Sequence, residues 1–423
     1  MRMILRLAMA SLRARGVTAA LTVFSIALSV ALLLGVERAR EMSRSSFVAS
    51  VSGTDLIVGA RTSPVHLLLF SVFHVGRPAA NLKRESADWL AAHPRVAWTI
   101  PVSLGDSHRG VAVVGTSAAL FEHYRYGPGK ALAFARGGAF SHDLDAVLGA
   151  ETAASLGYDI GQPLVLAHGA GDLSFTRHEG QPFRVTGILA PTGTPVDRTV
   201  LVGLRGIDRV HEAGTANGDD DPLAVALRSR GGDLPTAQER GALSAVLVGL
   251  RARRDALALQ RVINETAPEP LTAILPVPTL QEVWEIAGVA ERALLAVSSM
   301  VVVVGLTGML VALLTSVAER RREMAVLRAV GARPAHVFVL VLSEAALLTG
   351  AGVALGTLSL QGFLALGREA LRAQFGMTVD TGWPSLQEWQ LLLSVALAGI
   401  LAGVIPAWRL TRLSLADGMT VRV

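Results

Sequence analysis

Four stretches of this chain stay apolar for about 20 residues, enough at 1.5 Å per residue to cross a hydrocarbon core of about 30 Å. Residues 16–36 and 293–318 carry no charged side chain. Residues 345–367 are equally clean, are entered from about Val337, and have Glu344 near their start. Residues 390–407 lie between Trp389 and Trp408, in keeping with the aromatic belt at membrane interfaces. These runs predict an α-helical membrane protein with transmembrane helices at 16–36, 291–318, 335–367 and 389–408. The first is longer than the 7–15 residues of a signal-peptide core, and no small-x-small cleavage site follows it, so it reads as an uncleaved anchor.

Between the first two spans the pattern changes. Glycine, proline, histidine and acidic residues break it into short elements, predicting a large extracytoplasmic α+β domain over 37–290. Residues 55–59, 96–100, 110–114, 146–148, 163–167, 183–189 and 199–202 read as strands set off by turn residues. Residues 82–93 follow a helical period and stop at Pro94. After the acidic break Gly218–Pro222, residues 223–227, 245–250 and 271–275 read as strands and 255–265 as a helix. This predicts a mixed α/β lobe built from 43–95 and 222–285, with a β-rich lobe of about 96–215 inserted in it.

One run, 64–74, is too short to span a bilayer. It reads either as a buried core helix or as an apolar surface meeting a lipid-like substrate or a partner; in the second reading Leu68, Phe70, Phe73 and His74 are the contact residues.

Charge sets the orientation. Arginines 2, 6, 13 and 15 precede the first span, 320, 321, 322, 328 and 333 lie between the second and third, and 409, 412 and 422 follow the fourth. In a four-span topology these flanks share one side, and the excess of Lys/Arg marks that side as cytoplasmic. Both termini, the 319–334 segment and the 409–423 tail are then cytoplasmic, while 37–290 and the short 368–388 loop are outside. Residues 1–15 read either as an amphipathic helix on the inner leaflet or as a disordered basic flank.

Composition changes the picture only at the margins. Charged residues make up 17% of the chain and the mean hydropathy is +0.46, too apolar for an ordinary soluble protein. The net charge of +5 sits in the membrane flanks, so it points to membrane lipids as partners and not to nucleic acid. There is no cysteine, which excludes disulfides, thiolate zinc sites and cysteine nucleophiles.

No G-x-x-x-x-G-K-[ST] loop is present; Gly127-Pro-Gly-Lys130 lacks the upstream glycine and the following hydroxyl, so nothing cradles ATP phosphates. Hydrolase motifs are absent too, and no catalytic residue is assigned. Nine of ten histidines fall in the outer domain, but none forms an i, i+4 pair on a convincing helix, and no metal ligand is assigned. Within the spans, Gly352-x-x-x-Gly356 and Gly399-x-x-x-Gly403 suit close helix approach. Glu344 reads either as an interfacial residue or as a buried partner of Arg333 or another helix.

The 316–332 segment is the most specific. Glu319, Arg320, Arg322 and Glu323 open it, Met324 and Leu327 form an apolar face at helical spacing, and Arg328 and the C-capping Gly331 close it. A short amphipathic helix between spans suits docking in a partner's groove. The segment closely resembles the coupling segment of MacB-like/FtsX-like ABC transporter permeases, E-R-x-R-E-I-x-x-x-[RK]-A-[VIL]-G-A. Residues 10–27, 111–116, 187–200 and 405–419 are also similar to that family, although Asp417–Met419 departs from its terminal pattern. The resemblance implies a non-catalytic permease that pairs with a second permease copy and docks a separate cytoplasmic ATPase through Glu319–Gly331. ATP and magnesium would be bound by that ATPase and no cofactor by this chain directly. It further implies a bacterial inner-membrane location and an optional periplasmic adaptor or substrate-binding protein. Export or mechanotransmission is the expected work; the alternatives are lipoprotein or lipid extraction, control of an envelope hydrolase, and a metal-linked transport component.

Overall fold

The structure, a computed structural model, describes residues 2–168, 176–177, 182–216, 242–319, 331–375 and 382–412. It divides into a helical unit of residues 1–42, 288–369 and 379–423 and an outer-domain unit of residues 43–287 and 370–378. The expected acidic break, the 223–227 strand and most of the 319–334 segment lie outside the described residues.

In the helical unit, α1 (Arg2–Ala14) precedes α2 (Gly16–Val51). The basic flank is therefore helical: Ala8 is fully buried in a cluster with Val337, Leu340, Val341, Ala407 and Leu410, while its neighbour Leu7 is exposed. Helix α2 is 36 residues long, so its helical pattern runs well past the apolar stretch that ends at Val36.

The outer domain follows as β1 (Leu56–Ala60), α3 (Pro64–Phe73), α4 (Arg84–Ala91), β2 (Val96–His108), β3 (Val111–Thr116) and α5 (Ala119–His123). Next come β4 (Arg125–Tyr126), β5 (Lys130–Ala131), β6 (Phe134–Gly137), β7 (Asp145–Leu148), α6 (Ala150–Leu156), β8 (Pro163–Leu164), β9 (Ala167–His168) and β10 (Thr176–Arg177). The domain ends with β11 (Phe183–Leu189), β12 (Thr199–Gly203), α7 (Leu204–Ala216), β13 (Ala245–Leu250), α8 (Ala256–Thr266) and β14 (Leu271–Ile274).

Among the described residues, 12 strands form one sheet with the path β14-β1-β13-β2-β3-β12-β7-β11-β6. Strand alternation explains how that sheet carries two lobes. On β1, Ile57 points into one core while Leu56 and Val58 point into another, and on β13 Ala245 and Leu247 split from Val246 and Val248 in the same way. On β7 and β12, Val147 and Leu201 join the first core, whereas Ala146, Leu148, Val200 and Val202 enter a third. One face of the sheet is thus covered by a single core that runs under both lobes. The opposite face holds two separate cores, one under α4 and α8 and one under α6 and α7. Covering both faces is why these strands read as unbroken apolar runs in the sequence.

Three further long helices complete the chain: α9 (Pro276–Glu319), α10 (Pro334–Phe375) and α11 (Leu386–Arg412). With α2, they supply four helices long and apolar enough to cross a membrane.

Candidate functional site

In the helical unit, small residues set the packing. A Cβ on Gly352 would lie 2.5 Å from Ile26, and one on Gly356 would lie 2.5 Å from the carbonyl oxygen of Ala27, so α10 and α2 meet at backbone distance. The second glycine pair does the same between α11 and α10: Gly399 sits against Thr349 and Gly403 against Ala345. Ser29 ties α2 to α9, donating to the Val301 carbonyl at 3.2 Å opposite Gly305. Both glycine motifs singled out in the sequence are therefore helix-crossing points.

Charged side chains join the same helices. Arg38 on α2 makes a two-point contact with Glu388 on α11, Nε to Oε1 at 2.6 Å and Nη2 to Oε2 at 3.4 Å. Glu388 is 4% exposed and also accepts the backbone N–H of Ser385, whose hydroxyl accepts the N–H of Glu388 in return. That is a reciprocal capping box, and it starts α11. Beside it, Glu37 accepts from Arg40, which faces Glu291 on α9 at 3.9 Å. At the other end of the unit, Glu344 is buried and lines a small cavity with Ser11, Arg15, Thr22 and Ser316, and Arg15 pairs with Glu319 at 2.7 Å. Of the coupling residues, Arg320, Arg322, Glu323, Met324, Leu327 and Arg328 lie outside the described residues. Gly331 has φ 106°, a left-handed value that favours glycine, while the helix it is expected to cap lies outside the described residues.

The outer domain holds a cleft of about 560 Å³. One wall comes from the outer end of α2, with Ser43, Ser46, Phe47 and Ser50. A second comes from the end of α3, with Phe73, His74 and Val75, and a third from Glu151, Thr152 and Ser155 on α6 together with Gly193, Thr194, Pro195 and Arg198. Helix α3 forms because Ser63 accepts the N–H of His66, Pro64 starts the first turn, and His74 ends it in the left-handed region. Leu68 and Phe70 are 0% and 1% exposed in the core shared by both lobes. The 64–74 run is therefore a core helix, and Leu68 and Phe70 offer no contact surface. Phe73 and His74 do face the cleft. Phe47 packs on Phe73 at 4.5 Å and on Trp284 at 5.4 Å between ring centroids, giving the cleft an apolar floor. Burial pushes the His74 imidazole down to about 4, so it is neutral at pH 7.

The third wall is held by Asp197. Its buried carboxylate accepts the N–H of Thr192 at 2.9 Å, the N–H of Gly193 at 2.7 Å and the Thr192 hydroxyl at 2.8 Å. Burial nevertheless raises its pKa above the usual carboxylate range; those three donors only offset part of that cost. Gly149 lies so close to the carbonyls of Val196 and Asp197 that a side chain there would collide with backbone. Next in sequence, Arg198 pairs with Glu151 at 2.6 Å. Sequence reasoning had no signal for Glu151, because its partner lies on a separate element far along the chain; the Arg38–Glu388 pair was hidden in the same way, although Ser385-x-x-Glu388 is a readable capping box.

Among the described residues no group of three metal-ligating side chains comes together; His178 lies outside them. Gly127–Gly129 is the turn of the β4–β5 hairpin, with Gly127 and Gly129 at φ 55° and 91°, and not a strand-to-helix phosphate loop.

Four membrane-length helices with a large α/β domain between the first and second define a membrane protein built around an inserted outer domain. Residues 19–242 match the MacB-like periplasmic core domain and residues 295–415 the FtsX-like permease C-terminal domain. The chain belongs to the MacB-like/FtsX-like ABC permease family.

A macrolide export ATP-binding/permease protein MacB from Syntrophobacter fumaroxidans is 29% identical over 182 residues, 40% of this chain and 24% of that protein. The chain thus spans about a quarter of that relative's length. Similar solved structures include the periplasmic region of MacB from Actinobacillus actinomycetemcomitans, at 10% identity and TM-score 0.32, covering 56% of this chain and 97% of that one. Another is the extracellular domain of the noncanonic ABC-type transporter YknZ from Gram-positive bacteria, at 13% identity and TM-score 0.29, covering 52% and 99%.

Proposed function

We propose that this chain is the membrane subunit of an ATP-driven export complex, coupling nucleotide hydrolysis on a partner ATPase to movement of its own outer domain. The observation that carries this reading is the FtsX-like permease match over 295–415, which encloses the arginine-rich 319–334 segment. That segment is the docking element: Met324 and Leu327 fill an apolar groove, while Glu319, Arg320, Arg322, Glu323 and Arg328 supply charge around it and Gly331 ends the helix. ATP and magnesium belong to the ATPase, since the sequence has no phosphate loop. The complex contains a second permease copy, lies in the bacterial inner membrane with both termini inside, and accepts a periplasmic adaptor or substrate-binding protein. Similarity to a macrolide export protein favours export over lipid extraction, hydrolase control or metal transport. The Met324→Asp/Leu327→Asp double variant tests this. It should insert normally and lose the co-purifying ATPase; an unchanged stoichiometric complex would remove the docking assignment.

A further inference from the structure

Helix α1 is tied to one edge of the helical unit. Ala8 is buried among Val337, Leu340 and Val341 at the start of α10 and Ala407 and Leu410 at the end of α11. The apolar stretch of α10 begins at these residues and that of α11 ends at them, with Trp408 at the level where hydrocarbon gives way to headgroups. The side of α1 turned away from that cluster is basic and apolar together. Arg6, Met9 and Arg13 follow at spacings of three and four, so they form one stripe, and all three are exposed. Leu7 is 47% exposed beside them. Arg409 is exposed on α11, between the buried Ala407 and Leu410 that hold α1. Arg15 is paired with Glu319, but Arg6, Arg13 and Arg409 meet no carboxylate among the described residues.

We infer that Arg6, Arg13 and Arg409 form a binding site for the headgroup of an anionic phospholipid, which pins α1 to the membrane surface. Guanidinium takes a phosphate in a two-point contact, so three unpaired arginines at headgroup level supply the charge such a lipid needs. Leu7 and Met9 then lie against its acyl chains, as the apolar side of an interfacial helix does. An acidic protein surface would meet the charge and leave those apolar side chains without a match. The site uses neither the outer domain nor the 319–334 segment, so it stands whether or not that segment docks an ATPase.

The test uses the full chain reconstituted without ATPase in phosphatidylcholine vesicles, where the brominated, fluorescence-quenching lipid is either phosphatidylglycerol or phosphatidylcholine. A Trp383→Phe/Trp389→Phe background leaves Trp408 as the reporter next to Arg409, the other three tryptophans lying in the outer domain. Both leaflets carry the same lipids, so the direction of insertion does not matter. Phosphatidylglycerol should be selected at Trp408 at least about tenfold over phosphatidylcholine, since each arginine near a charged surface is worth about fivefold. The selection should fall as salt is raised. The Arg6→Gln/Arg13→Gln/Arg409→Gln variant, which alters exposed and unpaired side chains, should select neither lipid. Equal quenching by the two lipids in the unsubstituted rim, selection indifferent to salt, or full selection in the triple variant would overturn the site. Displacement of the lipid by excess inorganic phosphate would overturn it in favour of a soluble anion. Loss of a co-purifying ATPase from the triple variant, with no lipid selection before substitution, would give the arginine stripe to that protein instead.

Discussion

His74 shows how a single side chain acquires its behaviour from backbone and burial together. It ends α3 in the left-handed region, which holds its ring at the cleft wall and among core residues. Its pKa falls to about 4 because burial disfavours the charged imidazolium. The unfolded chain keeps an ordinary imidazole near 6.5, so between pH 6.5 and 4 the unfolded state takes up a proton that the folded state refuses. The stabilising effect is complete above pH 6.5 and is lost as the pH falls toward 4. Because the ring edge still meets solvent, roughly 1 kcal/mol should be lost between about pH 7 and about pH 5. Urea unfolding followed by tryptophan fluorescence should show a flatter pH dependence in His74→Asn, a residue that tolerates the left-handed backbone. An identical slope in the variant would show that other groups set it. Asp197 gives a second test at this scale. Asparagine keeps one acceptor oxygen and introduces an amide donor facing the N–H groups of Thr192 and Gly193. Asp197→Asn should therefore cost about 2 kcal/mol. Amide exchange should rise around 192–194, and unchanged protection there would count against the Asp197 anchor. The 187–200 stretch stood out in the sequence as a family signature, yet nothing in it signalled that Asp197 folds the loop around itself, because a carboxylate's partners are set by the turn and not by spacing.

At the scale of elements, the period-two strands and the apolar helices were readable because burial imposes their pattern directly. Strands 183–189, 199–203 and 245–250 match their expected positions closely. The division into lobes was visible only in part. Sequence order suggests an insertion, whereas sheet pairing joins the lobes through β13, β2 and β3 and gives them a common core on one face. Pairing partners far apart in sequence leave no local trace. Helix crossings were easier, since only glycine permits such close backbone approach. Gly356→Val should push α2 and α10 apart and cost about 1–3 kcal/mol by overpacking. Gly362→Ala, where a Cβ meets nothing within 4 Å, should be neutral or stabilise by about 0.5–1 kcal/mol through helix propensity. Thermal unfolding in detergent compares the two; equal midpoints would contradict the close packing at Gly356. The Arg38–Glu388 bridge makes a separate demand on the same helices. Removing one partner of a buried pair costs about 3–5 kcal/mol, much of it from the stranded charge. Glu388→Gln should therefore destabilise the protein more than the double variant with Arg38→Met, and additive single effects in that cycle would show the bridge to be idle.

For the whole molecule, the outstanding physical claim is direction. Three arginine-rich flanks fall on one side of a four-span chain, and moving such flanks across a bilayer is costly, so the proposed cytoplasmic side is the one that retains them. That proposal has the large domain between the first two spans face outward. The absence of cysteine permits a direct measurement, because any introduced thiol is the sole reactive one. Glu122 is 70% exposed in the outer domain, and Arg333 is exposed at the start of α10. In intact spheroplasts, Glu122→Cys should react with a membrane-impermeant maleimide, while Arg333→Cys should react only after permeabilisation. The reverse pattern would place the outer domain inside the cell. The proposed ATPase contact at 319–334 would then be on the wrong side of the membrane for a cytoplasmic engine, and the coupling role would fall with the orientation. A reagent that reached both sites before permeabilisation would instead show leaky spheroplasts, which Arg6→Cys, in the N-terminal flank assigned to the same cytoplasmic side as Arg333, detects independently.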